Sequence, residues 1–308
     1  MLTRRNFLGS ATALGTNIFI PSRAGALQEG EPSLTAQSAA LHRAAHQLMD
    51  APLVFADPLA LRIIGPERRR RLEANLDRHR QPASRATRAF IVARSRLAED
   101  ELAAAQGVDQ YVVLGAGLDT FGCRNPRAGS LQVFEVDHPA TQGWKRRQLQ
   151  EERIEIPHSL HFVAVDFEKE SLADRLRSSG FDSAAPAFIS WLGVTMYLGR
   201  DAVMQTLRFV AEGCARGSQI VFDFSLSDAL LRESERIRRD ERARKVASFG
   251  EPWISTFHPE ELANDLRAMG FSTAVVLSAQ DLNGRYFLGR SDGLRVIGSS
   301  GRIMSARA

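Results

Sequence analysis

Cysteine is almost missing from this 308-residue chain, with Cys123 and Cys214 as its only two. One possible pair gives no disulfide framework, and the two positions offer no metal-ligand spacing, so both are expected as free thiols. Lysine is nearly as scarce, standing only at 145, 169 and 245, so the rest of the 40 cationic residues are arginine. The net charge of +4 therefore expresses an arginine-rich composition rather than a polyanion-binding surface. No basic stripe with interleaved aromatics accompanies it, which excludes the usual nucleic-acid footprint. No run approaches the roughly 20 apolar residues that cross a bilayer, so no integral membrane segment is expected. Internal repeats and low-complexity tracts are missing as well. What is present, 44% hydrophobic residues over this length, suffices for one substantial core.

The first residues read as a leader. Thr3-Arg4-Arg5-Asn6-Phe7-Leu8 precedes a mildly apolar run from Gly9 to Ile20, then Pro21, Arg23 and the small-x-small sequence Ala24-Gly25-Ala26. Paired arginines, a weak hydrophobic segment and a cation before a cleavage pattern resemble a twin-arginine export signal over 1–26. The expectation is a periplasmic or exported protein; the alternative is an unstructured extension on a cytoplasmic one. Residues 27–32 read as a polar linker.

A helical cap is expected over 33–108. Thr35 to Met49 carries apolar residues at helical spacing, with Ser33 or Thr35 as a cap. Asp57-Pro58 marks a turn, Arg68 to Arg71 a solvated helix face, and 84–105 another helix. From Gln110 the pattern changes. Apolar runs at Tyr111–Leu114, Leu131–Val136, His161–Val165, Ala187–Leu192 and Ser218–Phe224 alternate with helical segments at about 139–152, 170–178 and 200–214. Strands separated by helices predict a parallel, doubly wound sheet over 109–300, because parallel neighbours need crossover connections. A charged helix at about 228–246 and another from His258 to Met269 follow. Ser272–Leu277 and Arg285–Val296 then read as a closing hairpin with Asn283-Gly284 in its turn, leaving 301–308 as a tail.

Open α/β sheets bind ligands at the carboxyl ends of their strands. The first strand ends in Gly115-Ala116-Gly117-Leu118-Asp119-Thr120, where glycines let a ligand approach the backbone. A dinucleotide fingerprint wants a third glycine where Thr120 stands, which disfavours an NAD-dependent oxidoreductase. The second strand ends at Asp137, placed to accept hydrogen bonds from both hydroxyls of a ribose. The third ends in Asp166-Phe167, an acid and an aromatic suited to an adenine. Asp119 and Asp166 could equally cap the helices that follow them.

Several segments together are more specific than any of these alone. Arg94-Ser-Arg96, Leu114-Gly-Ala-Gly-Leu-Asp-Thr120, Phe134-Glu-Val-Asp-His-Pro139 and Trp191-Leu-Gly-Val-Thr-Met-Tyr-Leu198 resemble the leucine carboxyl methyltransferase family. More narrowly they resemble its bacterial branch of candidate S-adenosyl-L-methionine-dependent methyltransferases. Thr35, Asp57-Pro58, Gly250-Glu-Pro252 and His258-Pro-Glu-Glu-Leu262 fit too, so the resemblance covers about 33–298. It implies an α/β fold of the class I methyltransferase (Rossmann-like) type, a seven-stranded doubly wound sheet with an N-terminal helical cap. It implies S-adenosyl-L-methionine as cofactor, with Arg94 on its carboxylate and Gly115 and Gly117 lining its methionine and ribose. Asp137 would hold the ribose hydroxyls, and Asp166 with Phe167 the adenine.

Two departures fall at the methionine end. Leu192 stands where the family's Trp-Glu-Gly carries an acid for the methionine amino group, and Leu34 where it carries a cation before the threonine. Losing a charge-assisted hydrogen bond costs about 1.5–3 kcal/mol, roughly ten- to a hundredfold in affinity. The expected function is O-methylation of a small molecule or a carboxylate; the alternative is a catalytically weakened, nucleoside-binding relative. A carboxylate acceptor needs no general base, whereas a hydroxyl would draw on His138 or His258. Tyr197 and Trp253 are expected in the acceptor pocket, and no metal is called for.

Overall fold

The computed structural model describes residues 33–166, 170–298 and 300–308. The leader over 1–26, the linker over 27–32 and Phe167 lie outside the described residues.

The helical segment comes first: α1 (Leu34–Met49), α2 (Ala60–Ile63), α3 (Pro66–Ala74), α4 (Leu76–Arg80) and α5 (Pro82–Ala104). Ser33 caps α1, its side chain accepting the Ala36 N–H at 3.0 Å. Arg88 of α5 is fully buried, and a forked pair of bonds to Asp50 at 2.7 and 2.9 Å satisfies its charge. That pair ties α5 to the end of α1. α5 does not stand apart from the rest, since Ala89, Val92, Ala93 and Leu97 share one core with the sheet.

The alternating part follows: β1 (Gln110–Leu114), α6 (Phe121–Arg124), β2 (Gln132–Asp137), α7 (Pro139–Glu151), β3 (Leu160–Ala164) and α8 (Leu172–Ser178). Then come β4 (Ala187–Trp191), α9 (Arg200–Gly213), β5 (Gln219–Ser225), α10 (Glu233–Ala247), α11 (Pro259–Ala268), β6 (Thr273–Leu277), α12 (Ala279–Tyr286) and β7 (Gly301–Arg307). The strands form one sheet in the order β3-β2-β1-β4-β5-β7-β6. All pairs are parallel except those made by β7, which runs antiparallel between β5 and β6. Period two sorts the strand side chains onto two covered faces. Val112 and Leu114 face a core shared with α8, α9 and α11, while Tyr111 and Val113 face the one shared with α5 and α12. The five parallel strands thus stand where the apolar runs predict them, and Cys123 and Cys214 are free.

The closing hairpin is not there. Asn283-Gly284 lies inside α12, and the partner of β6 is β7, formed by the residues expected as a tail. A capping box starts α12: Ser278 Oγ accepts the Asp281 N–H, and the Asp281 carboxylate accepts the Ser278 N–H at 2.7 Å. Asn283 then bonds Val296 in both directions, donating to its carbonyl at 3.0 Å and accepting its N–H at 2.9 Å. Val296, at the end of the run expected as a strand, is therefore satisfied by a side-chain amide in place of a strand neighbour.

Candidate active site

The switch point of the sheet falls between β1 and β4, where the strand order reverses, and the crevice there opens into a cavity of about 900 Å³. That is near the upper end for small-molecule sites and leaves room for a cofactor and an acceptor together. Its floor is the loop after β1. Gly115 and Gly117 both have positive φ, +65° and +50°. A Cβ on Gly115 would stand 2.4 Å from Val194 Cγ2, and one on Gly117 3.0 Å from Ala36 Cβ. Positive φ favours glycine at both positions, and at Gly115 the space does too.

Asp137 closes the next strand beside this loop. Its carboxylate accepts the Gly117 N–H at 2.5 Å and the His138 N–H at 2.7 Å. Burial raises its pKa, and those two backbone bonds work against the rise. Each oxygen keeps a lone pair for a ribose hydroxyl. Asp166 lines the same cavity one strand further out. Asp119 lines it too, and accepts the Phe121 N–H at the start of α6 at 2.7 Å, one residue ahead of the Thr120 N-cap. These residues suit S-adenosyl-L-methionine: a glycine cradle that a Cβ would fill, with an acid poised for the ribose.

Arg94 projects from α5 into the opposite side of the cavity. Its Nη1 donates to Asp223 Oδ2 at 2.7 Å, and its guanidinium lies over the Phe90 ring, 5.9 Å from the centroid. Asp223 sits near the end of β5 with its side chain only 1% exposed, and it also accepts the Gly193 N–H at 2.5 Å. A strand written Val-Phe-Asp-Phe signals an acid out of place in an apolar run, and that signal could have singled Asp223 out. Leu192 does line the cavity, as its place after β4 implies, and packs against the core behind it. Leu34 has its side chain 42% exposed and contributes its backbone instead. Glu251 accepts the Leu34 N–H at 2.9 Å, the Ser33 hydroxyl at 3.2 Å and the Thr35 hydroxyl as well. A carboxylate thus rests on the N-terminus of α1, where the helix dipole favours it.

Apolar side chains also line the cavity, with Phe90, Met196, Val246, Phe249 and Val296 in its walls. Tyr197 and Trp253 both line it, as expected. Burial raises the Tyr197 hydroxyl pKa. Trp253 stands beside that hydroxyl, yet its Nε1 is buried without a well-aligned hydrogen-bond partner. The two histidines considered as bases fare differently from one that was not. His138 lines the cavity, but its Nδ1 accepts the Ala140 N–H at 3.2 Å and caps α7. His258 occupies the N-cap position of α11, away from the cavity lining. His42, overlooked in the sequence, lines the cavity with its ring edge-on to His79 and its Nδ1 buried and unpartnered. Burial first, then His79 and the cations Arg88, Lys245 and Arg94, lower its pKa to about 3. Among the described residues no group of His, Cys, Asp and Glu could hold a metal, and no helix is long and apolar enough to cross a membrane.

The chain is similar to known proteins. A family model described as leucine carboxyl methyltransferase matches residues 36–211. YktD of Bacillus subtilis, a candidate S-adenosyl-L-methionine-dependent methyltransferase, is 33% identical over 291 residues, covering 87% of this chain and 95% of its own. A second candidate of that kind, from Frankia alni, is 32% identical over 262 residues, with 78% and 84% covered. A solved candidate methyltransferase from Thermobifida fusca superposes with a TM-score of 0.54 at 18% identity, covering 91% of this chain and 96% of its own. A Streptomyces avermitilis structure gives 0.55 at 16% identity, covering 88% and 96%. At those identities the two structures speak for the fold alone.

Proposed function

The chain belongs to the leucine carboxyl methyltransferase family and is an S-adenosyl-L-methionine-dependent methyltransferase, and from that premise we propose that it methylates a carboxylate oxygen of a small anionic acceptor. The observation that carries this reading is a pair of cations. Arg242 and Lys245, on α10, line the cavity, and among the described residues neither has an ion-pair partner. Burial lowers the Arg242 pKa, with Arg238 adding to the effect. Arg242 donates to the Arg238 carbonyl at 3.5 Å, and a partly desolvated cation without a counter-ion is unfavourable until an anion reaches it.

The bound cofactor supplies an electrophilic methyl on a sulfonium. The chain's own work is to hold donor and acceptor in line and to keep water out. Gly115, Gly117 and Asp137 fix the nucleoside from one side, and Arg94 fixes the methionine carboxylate from the other. Arg242 and Lys245 hold the acceptor, whose oxygen is already a nucleophile and needs no base. A hydroxyl acceptor would need one with a pKa near the working pH, and His42 at about 3 is far from it.

A panel of small carboxylic acids, each paired with its amide and its alcohol, tests the reading. Ester formation from acids alone is expected. Arg242→Ala and Lys245→Ala should each raise the acceptor KM about tenfold, the loss of one charge-assisted contact, and leave donor affinity unchanged. Turnover of the alcohols with the acids inert would sink it.

A further inference from the structure

The methionine end of the cavity lacks the acid that position 192 carries in the family pattern, yet a carboxylate stands immediately behind it. Asp223 and Arg94, 129 residues apart, form an ion pair at 2.7 Å, with the Asp223 side chain 1% exposed and the Arg94 side chain 12% exposed. Gly193 completes the unit. Its N–H donates to Asp223 Oδ1, its φ is +76°, and a Cβ there would stand 2.6 Å from Arg94 Nη2. Only a glycine at 193 lets the guanidinium lie against the backbone, on top of its acid.

The pair presents a positive and a negative pole with no net charge. The α-amino-acid end of the cofactor, beyond its sulfonium, is an α-ammonium beside an α-carboxylate, also two poles and no net charge. An isolated Arg94 would attract any anion; Arg94 over a buried acid favours a zwitterion instead. We infer that Arg94 and Asp223 act as a zwitterion clamp, in which Asp223 supplies the negative pole for the methionine ammonium that the acid missing at 192 would otherwise provide. Arg94 retains donors beyond the one given to Asp223, and each Asp223 oxygen retains a lone pair. The low dielectric around a side chain this buried lets its charge act on the ammonium with little screening. The cavity then sorts its two ligands by charge: a neutral dipole at Arg94 and Asp223, an anion at Arg242 and Lys245.

Calorimetric titration of the full chain with S-adenosylhomocysteine and with 5′-methylthioadenosine, which lacks the amino-acid portion, tests the clamp. Asp223→Asn keeps the shape and should weaken S-adenosylhomocysteine at least tenfold while changing methylthioadenosine less than threefold. Adding Leu192→Glu to Asp223→Asn should restore part of the lost affinity by bringing an acid to the neighbouring position. Equal losses for both ligands in a folded Asp223→Asn protein, or no loss for either, would overturn the inference. If that variant does not fold, the wild-type chain still decides, using the deaminated analogue of S-adenosylhomocysteine. Binding at least tenfold weaker than the parent supports a negative pole there, and equal binding overturns it. A wild-type chain that binds neither nucleoside would overturn the clamp together with the donor site, a result distinct from the other outcomes.

Discussion

Glu251 receives the backbone N–H of Leu34 at 2.9 Å across 217 residues of sequence, and so closes the mouth of the cavity with the first turn of α1. Replacing Glu251 with Ala removes the acceptor for Ser33, Leu34 and Thr35 together. The expected loss is about 1.5–3 kcal/mol of stability, the range for hydrogen bonds to a charged group. Denaturant unfolding measures it, and Glu251→Gln, which keeps an acceptor oxygen, should lose less. An alanine variant as stable as the wild type would mean that the mouth is held by other contacts.

Gly115 and Gly117 give a second prediction. Gly115→Ala puts a methyl 2.4 Å from Val194 and forces an L residue to φ +65°. Gly117→Ala meets Ala36 at 3.0 Å, a contact that a small shift of α1 relieves. Donor affinity should therefore fall further in Gly115→Ala than in Gly117→Ala. Titration with S-adenosylhomocysteine ranks the two, and the reverse order would contradict the geometry.

His42 sets an expected pH dependence. Its pKa falls from 6.5 to about 3 on folding, so the folded chain holds its proton less tightly than the unfolded one. The stability tied to its neutral form is complete above about 6.5 and is lost as pH falls toward 3. Unfolding free energy measured across this window should decline toward acid. His42→Gln should flatten that decline without abolishing it, since burial lowers the pKa of His79 too. An unchanged slope would show that His42 does not titrate as its surroundings require.

The leader remains a proposal from its sequence alone. A fusion of residues 1–30 to a folded reporter should carry the reporter out of the cytoplasm. Replacing both Arg4 and Arg5 with Lys should retain it. Retention of the unaltered fusion would point to a cytoplasmic enzyme, where the methyl donor is made.

Local patterns made the parallel strands legible, because each is a short apolar run that ends at a glycine or an acid. The glycine loop and Asp137 were legible for the same reason, since floor and ribose acid sit at adjacent strand ends. The last strands were not, because Asn283-Gly284 reads as a hairpin turn until Ser278 and Asp281 are seen to box the start of a helix. The signal was in the sequence, but the turn dipeptide outweighed it. Arg94 with Asp223, and Thr35 with Glu251, are long-range pairings that leave no local trace. His42 was passed over because an isolated histidine in a helix is ordinary until a cavity, Lys245 and Arg88 surround it.

The placement of β7 has a consequence for the order of events during synthesis. It lies between β5 and β6, and the last residue is fastened too, with the Ala308 N–H bonded to the Ser218 carbonyl and its own carbonyl to the Gly217 N–H, both at 2.8 Å. Until those residues leave the ribosome, β5 presents an open edge of the kind that invites mispairing. Residues 301–308 thus act as a latch, and a chain cut short before them would be released with its sheet still open.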